Sequence, residues 1–214
     1  MTQLAAAFSL ADPSARLQAA LRAGMAPVDE DVPVLLHQCA VEPDFQVREM
    51  LTWALIRHPA EKIVPLLIAE LARPEPVARQ QALHTLSKFK DASAWPSVRG
   101  RLDDSDNNVR RTAWYAAIAV APDAEHGWLA AKLATHLGSG DGDTQRSLSR
   151  ALAALGEDLI RPLLVAASTS SDPAVRQHVA ATLQLLDEPE SGYSASLKAA
   201  RRQVALGKTR STKG

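Results

Sequence analysis

The chain has 214 residues, enough for one substantial domain with little room for two. Apolar residues make up 46% and aromatic ones 4%, and Ala and Leu supply most of the apolar count, a mix that favours closely packed helices and argues against a sheet-rich fold. Net charge is zero but uneven: residues 191–214 hold six bases and no acid, so the remainder is net −6, which weighs against a general nucleic-acid binder.

The opening stretch, MTQLAAAFSLADPSARLQAA, has a short apolar run with no base before it, a poor signal peptide. Further along, no run approaches the roughly 20 apolar residues of a membrane span. The lone cysteine, Cys39, excludes an intrachain disulfide and suits a reducing compartment. A cytoplasmic location without a membrane span is expected.

From Asp12 onward one pattern recurs. DPSARLQAAL, DFQVREMLTWAL, EPVARQQALHTL, DNNVRRTAWYAA, GDTQRSLSRAL and DPAVRQHVAATL align without gaps on Arg16, Arg48, Arg79, Arg110, Arg146 and Arg176. The intervals between these arginines are nearly even, and the longest is the one before Arg146. Five copies have an acid at the fourth place before the arginine: Asp12, Asp44, Glu75, Asp106 and Asp172. The other has Gly142 there and Asp143 next to it. Such an acid reads as a helix N-cap that also complements the helix dipole. Pro33, Pro65, Pro96 and Pro162 each lie about half a repeat before the arginine of their own copy. Each is expected near the start of a first helix, where a missing N–H costs little. One unit is therefore helix A, a short turn, and a capped helix B that carries the arginine.

This unit resembles the HEAT repeat, in the short regular form named after phycobilisome lyases, over roughly residues 11–187. The resemblance implies an all-α fold, a right-handed α–α superhelix of about six helix pairs with B helices lining the concave side. Physically, a lone pair cannot cover its own apolar face and must stack. The solenoid is expected over 1–190, with B helices beginning near 12, 44, 75, 106, 143 and 172. A capping helix is expected over 191–206 and a disordered basic tail over 207–214. GSGDGD at 138–143 accounts for the long interval as a glycine loop. The resemblance assigns the arginines to structure, each paired with an acid of its own or the adjacent turn.

With the arginine numbered zero, apolar residues fill −1 (Val47, Val109, Val175), +3 (Ala19, Leu51, Ala82, Ala113, Val179) and +7 (Leu55, Leu86, Leu183), a buried stripe. Position +1 is mostly polar and includes Glu49, Gln80 and Arg111. At +5, where repeats of this type usually expose a polar residue, stand Trp53, His84 and Tyr115 in three successive units. Helices stacked about 8–10 Å apart would set these rings in a row on the concave wall. Trp114, at +4, is expected between repeats, and Trp95 and Trp128 in packing of A helices.

The remaining polar residues supply no catalytic set. None of the six histidines is followed by glutamate, so the paired His-Glu ligands of HEAT-repeat deoxyhypusine hydroxylases are missing, and no zinc spacing occurs. Nucleophile and phosphate-loop motifs are absent as well. No metal and no cofactor is expected. The leading expectation is a non-catalytic protein–protein interaction scaffold that takes a protein or peptide on Glu49, Trp53, Gln80, His84, Arg111 and Tyr115. A nucleic-acid binder resembling HEAT-like DNA glycosylases is the second reading, with Arg57, Lys88 and Arg111 near the groove and the acidic body against it. A bilin-lyase or chaperone-like role rests on the family's name alone.

Overall fold

The computed structural model describes residues 2–187. The expected capping helix and basic tail lie outside the described residues. Among those residues all regular structure is helical, and the fold is all-α, a succession of helix pairs of the α–α solenoid class. The pairs are α1 (Gln3–Phe8) with α2 (Pro13–Met25), α3 (Val32–Val41) with α4 (Phe45–Leu55), and α5 (Ala60–Glu70) with α6 (Pro76–Phe89). There follow α7 (Trp95–Arg99) with α8 (Asn107–Val120), α9 (His126–Ala134) with α10 (Gly142–Ala154), and α11 (Glu157–Ala167) with α12 (Pro173–Asp187). The chain divides into two compact units, Met1–Leu129 and Ala130–Gly214.

In the first unit the B helices stack in sequence, α2 on α4, α4 on α6 and α6 on α8. Their −1, +3 and +7 side chains form the seam: Val47, Val109, Ala19, Leu51, Ala82, Ala113, Leu55 and Leu86 are all buried. Each fully buried Leu there contributes roughly 1.5–3 kcal/mol. In the second unit α10 and α11 pack on α12, where Val179 is buried but Val175 and Leu183 are half-buried.

The acids at −4 cap their helices. Asp12 accepts from Ser14 N–H, Asp44 from Val47, Asp106 from Asn108 and Val109, and Asp172 from Ala174. Glu75 makes no cap bond and engages Arg73 Nε instead, at 3.1 Å. In the copy after the long interval the cap is Asp141, which accepts from Thr144 N–H, while Asp143 pairs with Arg146. Gly138 and Gly140, at φ +80° and +77°, turn the chain into that cap, a conformation that favours glycine.

Two expectations are corrected. Pro33 and Pro96 do sit in the first turns of α3 and α7, but Pro65 and Pro162 lie inside α5 and α11. Both prolines are exposed, so the lost ladder bond falls on a wet face, and the helix starts are set earlier, after Pro59 and Gly156. The arginines do bind their own and the adjacent turn, and Arg146 pairs with Asp143 of its own helix, but the recurring −4 acids are not their partners, and four of those acids cap helices instead. Arg48 Nη1 donates to the Glu42 and Pro43 carbonyls, and Arg79 Nη1 to those of Arg73 and Pro74, 2.7–2.9 Å away. Each guanidinium thereby closes the turn between its A and B helices. The carboxylates come from the next repeat: Arg16 forms a two-bond pair with Glu42 at 2.9 and 2.7 Å, and Arg79 with Asp104 at 3.0 and 2.9 Å. Counted from the following arginine, those acids stand at −6. Arg73 holds the −6 place ahead of Arg79, so this rung is not repeated for Arg48.

Candidate functional site

Residues at +1, +5 and +9 of a helix lie one turn apart on one face. On α4 these are Glu49 and Trp53, with Arg57 in the turn just past its end, on α6 Gln80, His84 and Lys88, and on α8 Arg111, Tyr115 and Ala119. The preceding helix α2 offers Leu17, Leu21 and Met25. These four helices stack in order, so the register sets these residues at equivalent positions on successive helices, and His84 and Glu49 come within 2.9 Å of each other.

Tyr115 has 58% of its surface exposed in the middle of α8, while both its neighbours are sealed. Trp114 is 1% exposed, and its Nε1 donates to the Leu102 carbonyl at 3.1 Å. One residue step turns a helical side chain by about 100°, and that rotation alone separates the two aromatics into core and wall. His84 Nε2 of α6 lies 2.9 Å from Glu49 Oε1 of α4, a close approach without hydrogen-bond geometry. Burial pushes the His84 imidazole below its ordinary range, with Lys88 and Arg48 adding to the effect against the pull of Glu49. The direction favours the uncharged ring near pH 7. Gln80 and Arg111 are half-buried, whereas Lys88 and Arg57 are exposed. The Arg57 guanidinium sits 5.7 Å from the centre of the Trp53 ring.

Trp53 is half-buried because its six-membered ring lies on Gly24 of α2. A methyl group at Gly24 would stand 2.2 Å from Cζ3 of that ring. The indole is thus part scaffold, joining the first two repeats, and part wall. Gly24→Ala is expected to lower stability by about 1–2 kcal/mol, since overpacking costs about 1–3 kcal/mol and the gain in helix propensity returns up to about 1 kcal/mol. The check is a denaturant titration followed by tryptophan fluorescence. An unchanged midpoint would show that the ring moves aside freely.

Sequence reasoning did not single out the polar seam behind the wall. Gln81 Nε2 donates to Thr52 Oγ1 at 2.7 Å, and the Thr52 and Thr85 hydroxyls are 3.1 Å apart, all in buried positions between α4 and α6. Trp95 and Trp128 meet edge to face at 6.0 Å, with the Arg99 guanidinium 3.7 Å from the Trp128 ring centre. An open cavity of about 450 Å³ lies apart from the row, between α1 and α2, lined by residues including Leu4, Ala7, Arg22, Ala23 and Asp31.

Two groups of nucleophilic type have structural explanations. Burial pushes the Cys39 thiol up to about 12, so it stays protonated. Ser149 Oγ lies 3.1 Å from His178 Nε2, but Gly138 N–H already donates to Nδ1. The proton is therefore on Nε2, and His178 is not the base for Ser149. Among the described residues no three His, Cys, Asp or Glu side chains are grouped to hold a metal ion, and no helix is long and apolar enough to cross a membrane.

Residues 32–119 match the family model for HEAT repeats. The match supports a HEAT-repeat protein, and it runs from α3 into the last turn of α8, the three helix pairs that carry the row. Two solved structures of engineered proteins are similar to the chain. One is 20% identical with a TM-score of 0.47, covering 87% of this chain and 96% of its own. The other is 21% identical with a TM-score of 0.46, covering 99% of this chain and 64% of its own. No curated protein matches.

Proposed function

We propose that the chain is a non-catalytic scaffold of the phycobilisome-lyase-like kind of HEAT repeat, which captures a protein segment on Glu49, Trp53, Gln80, His84, Arg111 and Tyr115. The observation that carries this reading is the phenol of Tyr115, 58% exposed between two sealed neighbours. An exposed aromatic ring flanked by polar side chains has the composition of an interface anchor. The short repeat, with its −4 cap and arginine, supports the subtype. The buried, unpaired Cys39 fits a cytoplasmic setting.

Tyr115→Ala tests the row better than Trp53→Ala, because Trp53 also holds α2 to α4. Anchors of this kind cost about 2 kcal/mol or more on truncation, so capture of the partner is expected to weaken by roughly thirtyfold. The melting temperature should stay within about 2 °C, as for other surface changes. A photo-crosslinking amino acid at position 115 should label the partner, and one at the exposed Leu66 on α5 should not. Equal labelling from both positions, or undiminished capture by Tyr115→Ala, would remove the row from the interface.

A further inference from the structure

We infer that the segment taken by this wall is acidic and extended, with its apolar anchors at one end. The inference rests on the scaffold reading above and adds the partner's chemistry.

Charge is segregated within the first unit. Residues 1–129 contain sixteen acids, yet the four B helices α2, α4, α6 and α8 hold only one of them, Glu49. The other fifteen lie on A helices and in turns, where several cap helices or hold the arginine rungs. Among the residues assigned to the wall one acid, Glu49, stands against three bases, Arg57, Lys88 and Arg111, and Arg57 and Lys88 are exposed. An acidic body thus presents a locally basic strip.

The apolar residues are segregated too. The α2 column is Leu17, Leu21 and Met25, with Met25 72% exposed, and Trp53 borders it from α4. The basic residues begin at its border, where the Arg57 guanidinium lies 5.7 Å from the Trp53 ring centre. A ligand crossing from α2 to α8 therefore meets an apolar zone, then cations, then the Tyr115 ring. Three helix spacings of about 8–10 Å give a path of about 25–30 Å, which an extended chain crosses in about eight or nine residues.

Carboxylates fit this strip better than nucleic-acid phosphates. Three cations are few beside the six to ten phosphate contacts of a typical DNA site. Outside the strip the first unit carries fifteen acids against ten bases, and this net negative charge repels a long polyanion, whereas a short peptide reaches only the strip itself.

Fluorescence anisotropy on the full chain tests the proposal with labelled ten-residue peptides. The first carries leucine and phenylalanine in one half and glutamates in the other. Its counterparts replace glutamate with glutamine or with lysine, and a ten-nucleotide single-stranded DNA completes the set. The glutamate peptide is expected to bind about tenfold tighter than the glutamine peptide. Its affinity should fall several-fold between 50 and 200 mM salt, as a partly exposed charge interaction does. Glu49→Gln should tighten it further, and the double variant Arg57→Glu/Lys88→Glu should prefer the lysine peptide. Equal binding of the glutamate and glutamine peptides, or tighter binding of the DNA, overturns the acidic assignment. If no peptide binds, this inference also falls, while the row itself stands or falls by labelling from position 115.

Discussion

Asp104→Ala is expected to be among the most damaging single substitutions in the first unit, lowering stability by about 3 kcal/mol. The carboxylate is 3% exposed and takes two bonds from Arg79 and one from the Asp106 N–H. Its loss leaves the Arg79 guanidinium, itself 10% exposed, without a counter-charge. Removing one member of a buried pair costs about 3–5 kcal/mol, and the low end applies because Arg79 keeps two carbonyl acceptors. Glu42→Ala removes an even more enclosed carboxylate, one that accepts from Arg16, Gln38 and Asp44. Arg48→Ala is the informative contrast. Its guanidinium bonds two carbonyls and lacks a −6 acid, so about 1–2 kcal/mol is expected. Urea titrations of the three variants should place Arg48→Ala clearly apart from the other two. If all three are equal, the rung between repeats adds nothing beyond closing the turn.

The same carboxylates set the acid side of stability. Burial raises the Glu42 and Asp104 carboxyls, but hydrogen bonds from Arg16 and Arg79 and from the Asp44 and Asp106 amides outweigh it, so both lie below the ordinary range. A folded pKa below the unfolded one gives stability that is fully present above about pH 4 and is lost as pH falls through the folded value.

The fold is legible in the sequence because it is repeated. An acid, an arginine and an apolar stripe recurring once per repeat fix helix B six times over, and one copy supports the reading of the next. The −4 acids can be read as caps because capping is local, decided by three or four consecutive residues. The rung partners are hidden because a contact between repeats has no fixed local signature. Glu42 and Asp104 lie most of a repeat beyond their arginines, and Arg73 breaks the series where a third acid would have revealed it. Pro65 and Pro162 depart from expectation for a related reason, since proline marks a preference for the first turn and an exposed face tolerates it deeper. On the wall, register alone separates Tyr115 from Trp114. The seat of Trp53 needs Gly24, whose role depends on its missing side chain and on a neighbouring helix, neither visible in a single repeat.

His178→Leu should cost the second unit most of the order in its polar core. His178 is 2% exposed on α12 and ties three segments together. Gly138 N–H donates to Nδ1 at 3.1 Å, and Nε2–H points to the Gln145 carbonyl at 3.0 Å and to Ser149 Oγ at 3.1 Å. Ser149 then donates to Thr182 Oγ1, which donates to the His178 carbonyl, at 2.8 and 2.9 Å. Leucine fills the space but strands the Gly138 amide and the Gln145 carbonyl, at about 1–3 kcal/mol for each buried group left unpaired. Ser149→Ala removes one acceptor and leaves the Gln145 bond, so a smaller loss of about 1 kcal/mol is expected. Acid should act on the same contact. Burial holds the His178 imidazole below its ordinary range, against the Gln145 carbonyl, which favours the charged ring. Its contribution is therefore complete above about pH 6.5 and declines as pH falls through the folded value, because a proton on Nδ1 would face the Gly138 N–H. Long-range proton–nitrogen spectra of the full chain should show the Nε2–H form at pH 7.5, and melting at pH 7.5 and 5 should fall further in wild type than in His178→Leu. An Nδ1–H ring, or an equal drop in both proteins, would show that this bond does not hold the loop.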